Sequence, residues 1–319
     1  MRPVLLSPFG IDIPAYFAML AIGLTLATWL GSRWVSRLGM DKEVIWDLGL
    51  AMTIAGVIGS RILHVLADGY FWDYVHICTD PARVAWHISR GQCLARDVNG
   101  IWDAAAVVCH PRERNCFAWA AFWAGGLTFY GGLIGAGAYA VYFLRREKFP
   151  FLVAADMAGF VIPLGLAWGR MGCFLAGCCF GHVCYLPWAT RFPMFSPASE
   201  MQARTHLIAR ESLESLPVHP TQLYESLGSL LIALVAYLYI VPRKRFHGQV
   251  FVFFIVAYSV LRTAVEMLRD DDRGGFLGLS TSQLISIAFV VLCVPFARYL
   301  KQRAAVAPSK PLGPYRAAA

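Results

Sequence analysis

Four arginines lie inside or at the edges of segments that are apolar enough to cross a lipid bilayer: Arg61, Arg170, Arg262 and Arg269. A guanidinium group in that environment costs several kcal/mol unless a partner offsets it. The nearby carboxylates are too few to neutralise every arginine, so the pattern predicts an anionic ligand. A phospholipid phosphate is the nearest candidate, because the planar guanidinium donates two parallel hydrogen bonds to phosphate oxygens.

An ion pair within one helix is the plain structural alternative for part of this pattern. Arg262 and Glu266 are four residues apart on one predicted helix and therefore share a face. Such a pair accounts for one arginine and leaves Arg170 and Arg61 unexplained.

A second polar group precedes an apolar helix in the sequence His-Pro-Thr-Gln-Leu-Tyr-Glu at 219–225. Proline suits the first helical turn, which makes His219 a cap-region residue on the outer surface and brings Glu225 near the positive end of the helix dipole. Capping alone would explain Glu225. The density of polar side chains favours a site that also includes Gln222 and Tyr224.

A glycine-rich run at 125–135 opens the third apolar segment and carries Tyr130 between its glycines. Small residues at this spacing predict close helix packing. The Tyr130 hydroxyl could then reach an open cavity, although a tyrosine at a membrane interface more often serves as an anchor.

Eight of the nine cysteines fall in two long predicted outer loops. In the first, residues 68–121, an oxidising compartment favours disulfides of undetermined connectivity over four unpaired buried thiols; the cysteines concerned are Cys78, Cys93, Cys109 and Cys116.

The second cysteine group has Cys173, Cys178, Cys179 and Cys184, with His182 nearby. Thiolates and imidazole suit zinc, but adjacent Cys178 and Cys179 are not expected to point at one ion, so we expect no metal site. A structural role, or a disulfide from one of these cysteines to Cys184, is the preferred interpretation.

Composition indicates an all-α, polytopic membrane protein, because 58% of the residues are hydrophobic and only 15% are charged. Seven segments approach the roughly 20 residues needed to cross a bilayer. They are 13–30, 45–66, 122–144, 154–168, 224–240, 250–268 and 284–300. We predict one bundle of about seven helices over residues 1–303, with an insertion at 68–121, a head region at 173–219 and a disordered tail at 304–319.

Basic residues predict the orientation of this bundle. Lys and Arg cluster after the first, third, fifth and seventh segments, which places the N-terminus outside and the C-terminus inside. The net charge of +8 therefore reflects topology, and no motif accompanies it that would indicate nucleic-acid binding. No cleavable signal peptide is evident, so the first segment is expected to stay as a helix.

Four motifs together resemble one known family. They are Gly-Gly-Leu-Thr-Phe-Tyr-Gly-Gly-Leu-Ile-Gly at 125–135, the stretch from Asp156 to Gly172 that ends Trp-Gly-Arg-Met-Gly, the 219–225 motif, and Arg-Thr-Ala-Val-Glu at 262–266. Their order and spacing resemble the prolipoprotein diacylglyceryl transferases of the bacterial inner membrane. The resemblance implies transfer of a diacylglyceryl group from phosphatidylglycerol to the lipobox cysteine of a prolipoprotein, with release of glycerol 1-phosphate and no cofactor.

The resemblance also implies roles for individual residues. Arg170 corresponds to the family's phosphatidylglycerol-binding arginine and Arg262 to a second essential arginine, while the other matched positions are Glu225, Glu266, Tyr16 and Gly181. Many members have histidine at the position of Tyr130, and asparagine and glutamate at those of Cys173 and Cys178. The insertion at 68–121 is longer than the family usually shows.

The expected chemistry divides the site residues into two sets. The catalytic set is Arg170, Arg262, Tyr130, Glu266 and His219, and the substrate-binding set is Arg170, Arg61, Tyr16, Gly181, Gln222, Tyr224, Glu225 and Arg269. The base that deprotonates the acceptor thiol is Tyr130, His219 or Glu266. A transporter of an anionic solute and a lipid-binding protein without activity are the alternatives, although no internal repeat of the transporter type is found.

Overall fold

The computed structural model describes residues 4–6, 13–88, 90–94, 98–122, 126–209, 212–269, 275–276 and 279–306. The chain divides into two compact units. The first unit combines Met1–Trp46 with Phe149–Ala319, and the second is Asp47–Lys148. Each unit is described by itself.

Helices make up most of the first unit. Its helices are α1 (Ala15–Arg37), α6 (Phe151–Ala176), α7 (Pro197–Arg204), α8 (Thr221–Leu234), α9 (Val241–Arg243), α10 (Gln249–Glu266) and α11 (Thr281–Val306). A π-helical segment, Val235–Ile240, joins α8 to α9. The described part of the unit also contains two short antiparallel hairpins; they are β1 (Val4–Leu6) with β2 (Ile13–Pro14), and β5 (Gly275–Phe276) with β6 (Leu279–Ser280).

Helix α6 lies at the centre of the first unit and packs against α1, α8 and α10. Glycines permit the close approach of these backbones. A Cβ atom at Gly159 would lie 2.6 Å from the carbonyl carbon of Val250 in α10, and one at Gly172 would lie 3.2 Å from the Cα atom of Tyr16 in α1. The first contact is shorter than real Cβ atoms make and the second would require a shift of a few tenths of an ångström, so small residues at these positions set the spacing of the helices.

Asp156 fixes α10 against α6. Its buried carboxylate accepts hydrogen bonds from the backbone N–H groups of Gly248 and Val250 at 2.9 Å, and Lys244 Nζ lies 2.8 Å away. These N–H groups have no acceptor within their own helix, and the carboxylate lies at the positive end of the α10 dipole. Asp156 therefore has a structural task.

The second unit contains α2 (Glu43–Ala67), which begins just before it, followed by α3 (Phe71–Thr79), α4 (Arg90–Cys93), the hairpin of β3 (Ile101–Asp103) and β4 (Val108–His110), and α5 (Phe129–Arg146). The described part of the glycine-rich run, residues 126–135, packs closely, as predicted: a Cβ atom at Gly59 of α2 would lie 3.0 Å from the Cα atom of Gly135 in α5.

Disulfides join the insertion, as the sequence predicts. Cys78 pairs with Cys116 and Cys93 pairs with Cys109. The turn of the β3–β4 hairpin is held by Asp103, whose carboxylate accepts the N–H groups of Ala105 and Ala106. These backbone hydrogen bonds lower the pKa of Asp103.

Six helical segments of the described chain are long and apolar enough to cross a membrane: Ala15–Arg37, Glu43–Ala67, Phe151–Ala176, Thr221–Arg243, Gln249–Glu266 and Thr281–Gln302. The predicted third span, 122–144, corresponds to α5, which begins at Phe129 and is not among the six. The fourth was expected to end at Trp168, but α6 continues to Ala176, so Arg170 lies inside the helix. Helix α11 extends to Val306, past the expected start of the tail, and residues 307–319 lie outside the described residues.

Candidate active site

Glu225 is the centre of a buried ionic network in the first unit. The residue is 1% exposed. Its Oε2 atom lies 3.0 Å from Nε of Arg170 and 3.4 Å from Nη1 of Arg262, while its Oε1 atom accepts a hydrogen bond from the Tyr258 hydroxyl at 2.8 Å. One carboxylate thus orients two guanidinium groups.

Three helices bring these side chains together. Glu225 lies one turn inside α8, Arg170 lies in α6, and Tyr258 and Arg262 are four residues apart on the same face of α10. The Ser226 hydroxyl donates to the carbonyl of Ala167 at 2.7 Å, which fixes α8 against α6 beside the network.

Arg262 has protein partners on both of its Nη atoms. Nη1 contacts Glu225, and Nη2 donates to the Ser282 hydroxyl at 3.1 Å. Nη2 also makes an ion contact of 2.6 Å with Glu266, although the angles do not meet those of a hydrogen bond. The Arg262–Glu266 pair expected as the plain alternative is therefore present. Two arginines face two carboxylates, so this network is balanced and the expected shortage of carboxylates is not found within it.

Arg170 is bound differently. Within the described part of the chain, its only polar contact of hydrogen-bond length is the one from Nε to Glu225, and its side chain is 18% exposed. Both terminal amino groups therefore remain able to donate to a ligand. A guanidinium oriented through Nε presents its two Nη groups in the plane that suits bidentate binding of an oxyanion.

A loop after α6 is tied to the ends of α8 and α10. The Gly181 N–H donates to the carbonyl of His219 at 3.0 Å, and the His182 N–H donates to the carbonyl of Leu268 at 2.9 Å. A Cβ atom at Gly181 would lie 2.8 Å from the side chains of His219 and Thr221, so glycine is required by the close approach. Gly181 thus shapes the loop through its missing side chain.

The first turn of α8 also holds this loop. Gln222 Nε2 donates to the carbonyl of Cys178 and the Thr221 hydroxyl donates to the carbonyl of Cys179, both at 2.7 Å. Gln222, which was predicted to bind substrate, is 1% exposed, and its amide group donates to the backbone of this loop.

Tyr224 and His219 are neighbours at the start of α8. The Tyr224 hydroxyl accepts a hydrogen bond from Trp188 Nε1 at 2.7 Å and lies 3.3 Å from Nδ1 of His219. Both predicted residues therefore lie beside the loop after α6, which the Gly181 N–H joins to the carbonyl of His219.

Three thiols, one at the end of α6 and two in the loop that follows, converge. The sulfur atoms of Cys173, Cys178 and Cys179 all lie within 4.8 Å of one another, and Cys184 is free. The disulfide to Cys184, one of the two preferred alternatives, is therefore wrong. Cys178 and Cys179 were not expected to point at one ion, yet their sulfur atoms lie close enough to do so. The N–H of Cys178 returns to the carbonyl of Cys173 across Gly177, which has φ +74°, and Cys179 has φ +66°. This left-handed backbone turns both side chains toward the helix end.

The thiols and Arg269 influence one another. Hydrogen bonds with Cys173 and Cys178, together with the Arg269 guanidinium, leave the pKa of Cys179 lower than usual, although burial acts in the opposite direction. Hydrogen bonds with Cys173 and Cys179 raise the pKa of Cys178. Arg269 is buried and hydrogen-bonded to the Cys179 sulfur, so it takes part in the thiol group.

Tyr16 is the second residue of α1 and packs on Gly172 of α6. It lies close enough to Arg170 and Cys173 to interact electrostatically with both. The tyrosine expected from the first span therefore borders the site.

Arg61, in the second unit, is 7% exposed and directs its donors to main-chain carbonyls. Nε donates to Trp119 at 2.6 Å, Nη2 to Ala118 at 2.8 Å and to the Tyr74 hydroxyl at 3.0 Å, and Nη1 to Gly126 at 3.2 Å. These contacts connect α2 to the segment that precedes α5.

Tyr130 also belongs to the second unit. It is the second residue of α5, is 50% exposed and makes an edge contact with Phe129. Its predicted catalytic role stays a prediction.

Sequence reasoning missed Tyr258 and Ser282. Tyr258 could have been found, because it precedes Arg262 by four residues and so shares its helix face. Ser282 lies at the start of α11, and only the packing of that helix against α10 brings it to Arg262.

Comparisons with known proteins agree with the motifs. The family model described as prolipoprotein diacylglyceryl transferase matches residues 3–91 and 104–299, and the unmatched residues 92–103 lie in the insertion. Relatives named phosphatidylglycerol–prolipoprotein diacylglyceryl transferase include one from Proteus mirabilis, 34% identical with 97% of this chain and 95% of the relative covered. Another, from Clostridium tetani, is 28% identical with 92% and 95% covered.

Proposed function

The chain belongs to the prolipoprotein diacylglyceryl transferase family, and we propose that it transfers the diacylglyceryl group of phosphatidylglycerol to the lipobox cysteine of a prolipoprotein. The cysteine sulfur attacks the terminal glycerol carbon of the diacylglyceryl group. The bond from this carbon to the phosphate oxygen breaks, and its electron pair leaves with that oxygen. The products are a thioether and glycerol 1-phosphate.

The observation that carries the proposal is the state of Arg170. Its guanidinium is mostly buried and is oriented by Glu225 through Nε. Neither Nη group makes a polar contact with the described residues, so both can donate to a ligand. A phosphodiester offers two non-bridging oxygens that match these donors. As the carbon–oxygen bond breaks, negative charge grows on the phosphate, and donors already aimed at it stabilise the transition state more than the ground state.

Arg262 supports this arrangement without needing to touch the lipid. It shares Glu225 with Arg170 and is itself held by Glu266 and Ser282. We therefore assign Arg170 to phosphate binding and Arg262 to positioning Glu225 and balancing its charge. A buried carboxylate that retained only one of its cationic partners would hold Arg170 less firmly.

The acceptor thiol must lose its proton, because the thiolate is the nucleophile. Two of the three expected bases already have partners. Glu266 contacts Arg262, and His219 lies beside the Tyr224 hydroxyl. Tyr130 is the third, and its half-exposed hydroxyl in the second unit remains a candidate.

The multi-pass membrane protein is proposed to lie in the bacterial inner membrane with its site opening to the periplasm. Basic residues after α1, α5 and α9 favour a cytoplasmic location for those loops. The two disulfides of the insertion support an oxidising compartment for the opposite side. Reporter fusions after Leu38, in the 98–122 segment and after Gln302 test this: periplasmic activity is expected from the middle fusion alone.

A transfer assay tests the function. Purified protein is supplied with phosphatidylglycerol and a lipobox peptide, and the peptide is analysed by mass spectrometry. We expect a mass gain of one diacylglyceryl group on the cysteine and none on a peptide with serine in its place. Phosphatidylglycerol binding without any mass gain would instead favour the non-catalytic lipid-binding alternative.

A further inference from the structure

The three converging thiols have no part in the mechanism derived from Arg170. Cys173 is buried near the end of α6, and Cys178 and Cys179 are partly buried in the loop that follows. Their sulfur atoms lie within 4.8 Å of one another. Three thiol sulfur atoms at this separation are arranged as the ligands of one metal ion would be. The spacing of the three cysteines in the sequence did not indicate this.

The backbone holds the thiols in this arrangement before any ligand arrives. The turn at Gly177 closes with the hydrogen bond from the N–H of Cys178 to the carbonyl of Cys173 at 3.2 Å. Gln222 and Thr221 then bind the carbonyls of Cys178 and Cys179. The left-handed conformation of Cys179 is unfavourable for a residue with a side chain, and these contacts hold it there.

The spacing suits zinc. A zinc ion bonded to sulfur at about 2.3 Å requires sulfur ligands roughly 3.8 Å apart, which small side-chain rotations reach from the present distances. Three thiolates and a divalent ion carry one net negative charge. The Arg269 guanidinium, which is hydrogen-bonded to the Cys179 sulfur, supplies the compensating positive charge and orients that ligand.

Other cysteines of the chain provide a contrast. Those of the insertion are paired in two disulfides, whereas Cys173, Cys178 and Cys179 keep their thiols reduced in the same structure. A disulfide would use two of the three sulfur atoms and leave the third without a function. A zinc ion uses all three and leaves a fourth coordination position, which is the ligand count of catalytic zinc sites.

We propose that Cys173, Cys178 and Cys179 bind a zinc ion whose fourth position takes the cysteine thiol of the acceptor protein. This inference rests on the proposed transferase function for its substrate. The acceptor sulfur bonds to zinc and its proton passes to water. The zinc-bound thiolate then attacks the glycerol carbon, the carbon–oxygen bond breaks, and the electron pair leaves with glycerol 1-phosphate. No oxidation or reduction takes place.

A zinc ion at this site would deprotonate the acceptor thiol in place of the candidate bases Tyr130, His219 and Glu266. A metal ion deprotonates a coordinated thiol, which removes the need for a side-chain base of matched pKa. Tyr16 and Arg170 lie in the electrostatic environment of the same thiols, so a zinc-bound thiolate would be near the phosphate-binding guanidinium.

Metal analysis of the full-length protein tests the site without measuring activity. Protein purified under reducing conditions is expected to contain about one zinc ion per chain, and replacement by Co²⁺ should give the sulfur-to-cobalt charge-transfer absorption of a tetrahedral site. Cys173→Ser, Cys178→Ser and Cys179→Ser should each weaken zinc binding by at least about tenfold. Cys293→Ser, a free cysteine in α11, is the matched control and should bind zinc as the wild type does.

Titration of the cobalt protein with the lipobox peptide tests the fourth position. The cysteine peptide should shift the absorption bands, whereas the serine peptide should not. Absence of zinc and cobalt binding in wild-type protein that transfers lipid would overturn the inference and leave the proposed function intact, as would a disulfide between two of the three cysteines in active protein. Zinc binding and a peptide-induced shift in a protein that never transfers lipid would support the site and contradict the transferase function.

Discussion

Arg61 in the second unit and Arg170 in the first unit are both arginines in the interior of an apolar helix, yet their surroundings differ. Arg61 donates to three main-chain carbonyls and a tyrosine hydroxyl. Arg170 is oriented by one carboxylate, and its Nη groups make no such contacts with described residues. A buried cation therefore indicates a ligand only when the fold leaves donors unused, and position in the sequence does not reveal this.

Arg170→Ala should have the largest effect on activity. Loss of the guanidinium removes the donors aimed at the phosphate, so we expect the transfer rate to fall by about a thousandfold. The protein should still fold, because Glu225 keeps Arg262 and Tyr258 as partners. The transfer assay measures the rate, and thermal unfolding in detergent measures the fold.

Arg33→Ala is the matched control for this substitution, since Arg33 is an exposed arginine of α1 whose guanidinium lies over the Trp29 ring. It should transfer lipid at the wild-type rate. Undiminished turnover by the Arg170→Ala protein would show that Arg170 does not bind the substrate phosphate. It would also contradict the difference drawn between Arg61 and Arg170.

Glu225→Gln should destabilise the first unit. The change leaves two buried arginines without their shared carboxylate, and removal of one partner from a buried ion pair costs about 3–5 kcal/mol. A lower unfolding midpoint in detergent and strongly reduced transfer are expected. Glu200→Gln, at an exposed pair with Arg204 in α7, is the control and should change neither.

Arg61→Ala should affect stability more than chemistry. The main-chain carbonyls of Ala118, Trp119 and Gly126 lose a buried donor, which we expect to cost about 2–4 kcal/mol in the second unit. Limited proteolysis between residues 98 and 122 should become faster, while transfer by intact protein falls less than about tenfold. If transfer instead falls as far as in Arg170→Ala with proteolysis unchanged, Arg61 binds substrate, as the sequence predicted.

Tyr258→Phe tests whether the hydrogen bond from Tyr258 to Glu225 helps to orient Arg170. The loss of one hydrogen bond to a carboxylate should cost about 1.5–3 kcal/mol, seen as slower transfer with little change in the apparent affinity for phosphatidylglycerol. Tyr74→Phe removes the corresponding hydroxyl beside Arg61 and should leave the transfer rate nearly unchanged. Equal loss of rate in both variants would contradict the division of roles.

Tyr130→Phe should have the smallest effect. If zinc deprotonates the acceptor thiol, the Tyr130 hydroxyl is not needed as a base and the rate should stay within about twofold of the wild type. The measurement is the pH dependence of transfer in both proteins. A rate loss that is corrected at high pH would restore Tyr130 as the base.

Much of the site could be predicted from residue type and helical spacing. Arg170, Glu225, Arg262 and Glu266 were each candidates, because charged residues in apolar segments are costly and must find partners. Of their contacts, the sequence indicated only the one between Arg262 and Glu266. The close packing of the 125–135 run also followed from its glycines. Tyr258 could not be singled out by cost, because a tyrosine in a membrane helix is far less costly than a charged residue, although its spacing of four from Arg262 places both on one helix face.

The cysteine loop shows why the rest could not be predicted. Adjacent side chains point apart in extended or helical backbone, and the sequence gives no sign that Cys179 adopts φ +66°. That conformation depends on hydrogen bonds from α8, whose first turn lies more than 40 residues away along the chain. Local preference was overruled by tertiary contacts.

The sequence by itself determined the helical membrane fold, the family and the residue types of the site, because apolar length and the cost of buried charge act locally along the chain. The tertiary structure alone decided which arginine keeps its donors, which cysteines pair and which converge. Those outcomes depend on distances between helices that are remote in sequence, and hydrogen bonds form or fail over a few tenths of an ångström.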